Sequence, residues 1–401
     1  MSMTDYRSQY PFNFPFSGPA YVVEEKLLLR NIDLISQVAQ QTDVKILMAF
    51  KSFASWRLFH FFREKAFHAA VSSLNEAQLA LEELDSLGHA FSPSYTKEEF
   101  EEWQKLCSHI TFNSLSQATE LLPYADLKSH KFALRINPHY SPVETLLYNP
   151  GVKGSRFGVP ASELPPILPQ GITGLHVHVL CESNSFHLEH LLAVLERDFS
   201  DYLKQIEYIN LGGGHLITSP DYNVDHLVQV LKAFKQKHPH LSVFMEPGSA
   251  FTYRTGYLLT HVVDIVEHAD IKTAIIDASF TCHMPDCLEM PYHPVIRGAE
   301  LCPETIDRPI DWSKEKINTT GFLYRIGGNS CLSGDFMGAW RFPKALNIGD
   351  PILFEDMIHY TTVKTTMFNG ISHPSIVLQH VDGSFEMLRR YTYTDYKNRM
   401  C

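Results

Sequence analysis

Residues 44–51 read VKILMAFK: a short apolar run, long enough for one strand, ending on a lysine. The rhythm returns in AFHAAVSS to Ser73, HAFSP to Pro93, HITFNS to Ser114, FALRINP to Pro138, GLHVHVL to Leu180, YINLGGG to Gly214 and SVFMEPG to Gly248. Run ends recur every 20 to 24 residues at first and every 34 to 42 later, room for one strand and one helix each. A connection of that length suits parallel pairing. The helical reading has local support. Ser73 and Glu76 stand at capping-box spacing, as do Ser114 and Gln117. Ala77, Ala80, Leu81 and Leu84 fall on one apolar face, and Gly88 takes the place of a C′ residue. Eight consecutive units predict an α/β fold, a closed (β/α)8 barrel of the TIM type, whose chemistry gathers at the strand C-termini. Lys51, Arg135, His178, Gly212 to Gly214 and Glu246 all fall at or near those ends.

Beyond about Thr260 the pattern becomes β-rich and broken by Pro and Gly: HVVDIVE, TAIIDAS, GFLYRIGG, DPILFEDM, YTTVKTTMFNG and SIVLQHV. These predict a second, mostly antiparallel β domain, joined by the strand-like PAYVVEE near the start. The expected boundaries are residues 33–258 for the barrel, and 1–32 with 259–401 for the β domain. The 401 residues are 44% hydrophobic, which excludes intrinsic disorder. Lys and Arg number 34 against 45 Asp and Glu, a net charge of −11, which argues against nucleic acid and anionic membranes as partners. No run approaches the roughly 18 apolar residues of a membrane span, and Met1 to Ser17 lacks a signal peptide's apolar stretch. Seven cysteines without C-x-x-C spacing fit reduced thiols, and the expected location is the cytoplasm.

Each candidate residue has a plain reading beside the functional one. Lys51, desolvated in a barrel mouth, would have a lowered pKa and favour a Schiff base with a carbonyl; otherwise it begins a solvated loop. Gly212-Gly213-Gly214 offers bare backbone N–H groups to a phosphate, or makes a tight turn. Glu246-Pro247-Gly248 places a carboxylate where it would hold a pyridine nitrogen protonated, with Gly248 permitting close approach of a phosphate, or it caps a turn. His176 and His178 share a strand face; with Cys181 they are weighed as a metal site, which lacks a third ligand at diagnostic spacing, against stacking on a flat ring or plain burial. In CLSGD, Cys331 is a candidate proton donor and Asp335 a binder of a cationic substrate.

Taken together, MAFKSFASW, GLHVHVLCES, DASFTCHMPDCLEMPYHP, GGNSCLSGDFMGAW and FEDMIHYTTVKTTMFNG resemble the pyridoxal-phosphate-dependent basic amino acid decarboxylases of the alanine racemase-like fold. That group includes the ornithine and diaminopimelate decarboxylases; within it the resemblance is nearest to the carboxynorspermidine and carboxyspermidine decarboxylases. The resemblance implies pyridoxal 5′-phosphate as cofactor and no metal. Lys51 would carry the cofactor, His178 stack on its ring and Glu246 face its nitrogen. Gly213, Gly214, Gly248 and Tyr360 would surround the phosphate, with Arg135 and Cys181 also lining the cofactor. It further implies a homodimer in which Cys331, as the catalytic proton donor, and Asp335 complete a neighbouring subunit's site. The implied reaction is loss of the α-carboxylate from carboxynorspermidine or carboxyspermidine in polyamine biosynthesis. A polyamine tail needs carboxylates or carbonyls, for which Asp286, Glu289 and Asp335 are candidates, with His283 near the mouth and Glu246 also in reach of the substrate. Two departures stand out: Ser249 where many relatives carry Arg, and Leu332 where diaminopimelate decarboxylases carry Glu. Decarboxylation of ornithine, lysine or arginine is the alternative within the class; a non-catalytic cofactor binder lies outside it.

Overall fold

The computed structural model describes residues 14–144, 148–290, 292–303, 309–312, 314 and 321–401. Most of the stretch read for a signal peptide, up to residue 13, lies outside them. The chain divides into two units, one of Leu28–Tyr253 and one of Arg254–Cys401 with the segment up to Leu27. These limits fall five residues earlier than expected at each end, 28 against 33 and 253 against 258. The reason at the later limit is that a long strand, Gly256–His268, begins there and belongs to the sheet of the second unit.

In order, β1 is Ala20–Glu24, β2 Lys45–Ala49, β3 His68–Val71, β4 Gly88–Phe91, β5 Cys107–Phe112, β6 Lys131–Asn137, β7 Val159–Pro160, β8 Ile172–His176, β9 Tyr208–Asn210 and β10 Ser242–Met245. Strands β2, β3, β4, β5, β6, β8, β9 and β10 pair in parallel in that sequence, and β10 returns to β2, closing an eight-stranded barrel. All eight correspond to the eight apolar runs. Leu47, Ala49, Ala70, Ala133, Tyr208 and Phe244 form a core cluster drawn from five of these strands.

Ser73 caps the helix Leu74–Leu84 by accepting the Glu76 N–H, and Glu76 answers by accepting the N–H of Ser72. Ser114 and Gln117 repeat the arrangement on the helix Leu115–Leu121. Two details differ from expectation. Leu81 is exposed, because the buried face carries only Ala77, Ala80 and Leu84. Gly88 opens β4, and the left-handed residue ending the helix is Asp85. No α-helix follows β6 among the described residues. That connection contains Pro138, Pro142, Pro150, Pro160, Pro165, Pro166 and Pro169, and its described residues include the short β7 and a 3-10 turn at Ala161–Glu163.

The described strands of the second unit form one sheet. Its strands are β11 Gly256–His268, β12 Ile271–Ile276, β13 Glu300–Cys302, β14 Phe322–Gly327, β15 Phe336–Phe342, β16 Pro351–Glu355, β17 Ser375–Gln379 and β18 Phe385–Arg389, together with β1. The order is β13-β15-β14-β12-β11-β1-β17-β18, with β16 also on β11. All pairs are antiparallel except β1–β17 and β12–β14. The segment YTTVKTTMFNG, expected as strand, instead holds 3-10 turns at Thr361–Val363 and Phe368–Gly370. Positive φ at Tyr360 and Asn369 breaks any extended run there.

Candidate active site

Lys51 sits two residues beyond β2 in a turn fixed from both sides. Phe50 N–H donates to the Ala70 carbonyl at 3.1 Å, while the Ser52 N–H and Oγ both donate to the Ala49 carbonyl, at 3.0 and 2.8 Å. Phe50 and Phe53 are fully buried, Phe50 packing 4.8 Å from Phe59 and Phe53 6.1 Å from Phe62. With its neighbours anchored, Lys51 directs its Nζ to 3.4 Å from His178 Nε2. Burial lowers the pKa of its amine; Glu246 pulls the other way and Arg135 adds to the lowering.

His178 follows β8 by two residues, and its Nδ1 accepts the Gly213 N–H at 2.7 Å. Burial, then Lys51 and Arg135, hold the imidazole well below its ordinary pKa, so it stays neutral. His176, at the end of β8, lies on the same side, the two rings 6.3 Å apart and inclined at 25°. It is 2% exposed, and neither ring nitrogen has a hydrogen-bond partner among the described residues. Arg135, on β6, donates to the His178 carbonyl at 2.9 Å. Its guanidinium carbon lies 4.4 Å from the ring centroids of both Phe91 and Phe157. Burial there brings its pKa down to about 9, against the pull of Glu246.

Glu246 directly follows β10 and is 8% exposed; its Oε1 accepts the Asn210 amide at 2.7 Å. Burial raises its pKa, opposed by Lys51, Asn210 and Arg135. Asn210 also accepts the Gly212 N–H at 2.9 Å. Thus two of the three glycine N–H groups expected to be bare are already engaged, Gly212 by Asn210 and Gly213 by His178. That of Gly214 has no partner among the described residues. The run must be glycine for close approach: a Cβ would lie 2.5 Å from the Val177 carbonyl at Gly212, 2.2 Å from that of Glu246 at Gly213 and 2.0 Å from that of Leu180 at Gly214. At Gly248 a Cβ would meet Ser52 Oγ at 2.3 Å. Cys181 is half-buried; burial and Glu182 raise its thiol pKa, against the opposing pull of Lys51. No three His, Cys, Asp or Glu side chains among the described residues are grouped to hold a metal ion.

One face of the barrel therefore brings together Lys51, Arg135, His178 and Glu246 beside a cradle that admits no side chain and keeps one N–H open. This donor set fits a flat, phosphorylated pyridine aldehyde: an amine of lowered basicity, a buried carboxylate, an imidazole and room for close backbone contact.

The remaining candidates belong to the second unit. Cys331 is exposed, and its N–H donates to Asn369 Oδ1 at 2.9 Å. Asp335, 4% exposed, accepts the N–H groups of Thr281 and Ser330, both at 3.1 Å, and so ties its own loop to the helix Phe280–His283. Asp286 and Glu289, expected to be available to a cation, are both bound to Lys364. His283, expected near a mouth, is fully buried; its Nδ1 accepts the Ser279 N–H at 3.1 Å, and burial brings its pKa to about 3. Tyr360 has φ +43° and ψ −48° at the centre of a γ-turn in which Thr361 N–H donates to the His359 carbonyl, a strained geometry for an aromatic residue. Asn210, Phe91 and Phe157 escaped the sequence reading. The one signal for Asn210 was a polar residue inside YINL, next to the glycines.

A family model described as pyridoxal-dependent decarboxylase, C-terminal sheet domain, matches residues 20–358. The chain belongs to the pyridoxal-dependent decarboxylases, and its cofactor is pyridoxal phosphate. It is 46% identical to the carboxyaminopropylagmatine decarboxylase of Synechocystis sp. over 96% of this chain and 95% of that protein. Identity to the carboxynorspermidine/carboxyspermidine decarboxylase of Campylobacter jejuni is 37%, over 95% and 98%. The crystal structure of carboxynorspermidine decarboxylase complexed with norspermidine, from the same organism, superposes with a TM-score of 0.87 at 36% identity, covering 96% of this chain and 100% of that one. Among the described residues no helix is long and apolar enough to cross a membrane.

Proposed function

We propose that this decarboxylase removes the α-carboxylate from a carboxylated aminopropyl polyamine, the class that contains carboxynorspermidine and carboxyspermidine. What carries the reading is similarity along at least 95% of the chain to two decarboxylases named for such substrates. A second reading, in which the tail ends in a guanidino group, is favoured by the higher identity to the carboxyaminopropylagmatine enzyme, 46% against 37%.

The cofactor supplies the electron sink that makes departure of CO2 feasible. Lys51 holds it covalently through its amine. Glu246, made more basic by burial, holds a proton on the pyridine nitrogen. His178 would pack on the ring, and Arg135 fixes the His178 backbone by donating to its carbonyl. Gly214, with its open N–H, Gly248 and Tyr360 take the phosphate, an assignment that leaves Ser249 where other family members place an arginine. Cys331 delivers a proton to the α-carbon, and its exposed position suits service to a second copy of the chain, with Asp335 binding the substrate's cationic groups there. A tail cation seeking Asp286 or Glu289 has to share them with Lys364.

The test is CO2 release from carboxyaminopropylagmatine, carboxyspermidine, carboxynorspermidine, ornithine and lysine in parallel. The expected result is turnover of the carboxylated polyamines, with ornithine and lysine slower by about a hundredfold or more. Equal or faster turnover of ornithine or lysine overturns the proposal, as does no CO2 from any of the five.

A further inference from the structure

We propose that the Gly213 N–H locks His178 in the tautomer carrying its proton on Nε2, and that this proton holds the Lys51 amine in its neutral, nucleophilic form before the cofactor binds. A backbone N–H can only donate. The 2.7 Å contact from Gly213 therefore requires a lone pair on His178 Nδ1. A neutral imidazole with a lone pair on Nδ1 carries its hydrogen on Nε2, and Nε2 is the atom 3.4 Å from Lys51 Nζ. An ammonium has three donors and no acceptor, so it would oppose that hydrogen donor to donor. A free amine has the lone pair to receive it. A doubly protonated His178 is disfavoured by the same contact, since Nδ1–H would then face the Gly213 N–H.

The surroundings divide over the charge of Lys51. Glu246 after β10, Glu76 on the helix Leu74–Leu84 and Cys181 beyond β8 favour the ammonium; burial and Arg135 on β6 oppose it. His176, neutral and without hydrogen-bond partners, adds no charge. Against the Glu246 carboxylate, His178 supplies the directed contact that selects the free base. Only that form carries the lone pair with which an amine attacks an aldehyde carbon. Gly213 is in this sense a positioning residue acting through His178, a role separate from the close approach that its missing Cβ allows. The inference rests on the cofactor of the family and on none of the substrate assignments above.

Two measurements on the full-length, cofactor-free chain test it. With 15N-labelled histidine, the His178 resonances, assigned by their loss in His178→Phe, should show Nδ1 without and Nε2 with a bonded proton at pH 7.5. The opposite tautomer, or an average of the two, overturns the proposal. Competitive acetylation of Lys51 against pH reads the consequence. His178→Phe keeps a flat ring but no donor and should raise the Lys51 midpoint by about one pH unit, slowing labelling at pH 8 by about tenfold. His178→Gln, whose amide can still donate, should stay within about threefold of the parent. An equal effect of both replacements would reduce His178 to a spacer and overturn the proposal. The tautomer measurement needs no folded variant beyond assignment, and neither readout depends on decarboxylation, so failure here and failure of the substrate proposal are separate results.

Discussion

At the scale of single residues, Lys51 and Glu246 carry the sharpest expectations. Lys51→Ala should abolish decarboxylation and the covalent link to the cofactor. Borohydride reduction followed by peptide mass analysis should then find no cofactor on the chain, and a labelled lysine elsewhere would displace Lys51 from its role. Glu246→Gln should bind cofactor but turn over slowly, because an amide cannot hold the pyridinium proton; a loss of about a hundredfold or more in kcat is expected. Unchanged turnover would assign the ring nitrogen to another group. Both residues were legible because each ends an apolar run, and strand ends are where a barrel collects its chemistry. Asn210 was not legible. Its importance comes from tying Gly212, two residues on, to Glu246, and the Glu246 contact exists only once β9 and β10 lie side by side.

At the scale of elements, the lower parts of the barrel strands hold a partly buried histidine group with its own pH dependence. His89 on β4 and His109 on β5 stack at 3.9 Å and 11°, with His68, Tyr208 and Phe244 around them and Lys45 and Lys131 nearby. Burial, then Lys45 and Lys131, bring His109 from 6.5 to about 4. Its folded pKa is depressed, so its full contribution to stability is present above pH 6.5 and is lost as pH falls toward 4. That contribution is at most about 3 kcal/mol. His109→Phe keeps the stacking and should flatten the dependence of the urea midpoint on pH between 4.5 and 7.5; an unchanged slope would place the titration elsewhere. The barrel strands were readable because parallel, doubly buried strands are nearly continuous apolar runs. YTTVKTTMFNG misled for the opposite reason: its Thr, Val and Tyr have strand propensity, yet positive φ at Tyr360 and Asn369 decides its path, and propensity carries no signal for that.

For the whole molecule, the consequential expectation is that Cys331 serves a neighbouring subunit. If inactive Lys51→Ala and Cys331→Ala chains are mixed and exchange, about half the dimers are mixed and each has one intact site of two. Activity should return to about one quarter of the parent, with exchange verified by differently tagged chains. No recovery despite exchange would mean that both residues act within one chain or that Cys331 is structural. The sheet of the second unit has a further property. Its strand β1, at residues 20–24, lies between β11 and β17 and pairs in register with Ser375–Gln379, some 350 residues further along. During synthesis the ribosome delivers every barrel strand before β11, and β17 some 350 residues after β1. Strand β1 therefore keeps an open hydrogen-bonding edge while all of these are made, a period in which a nascent chain is exposed to pairing with the wrong partner.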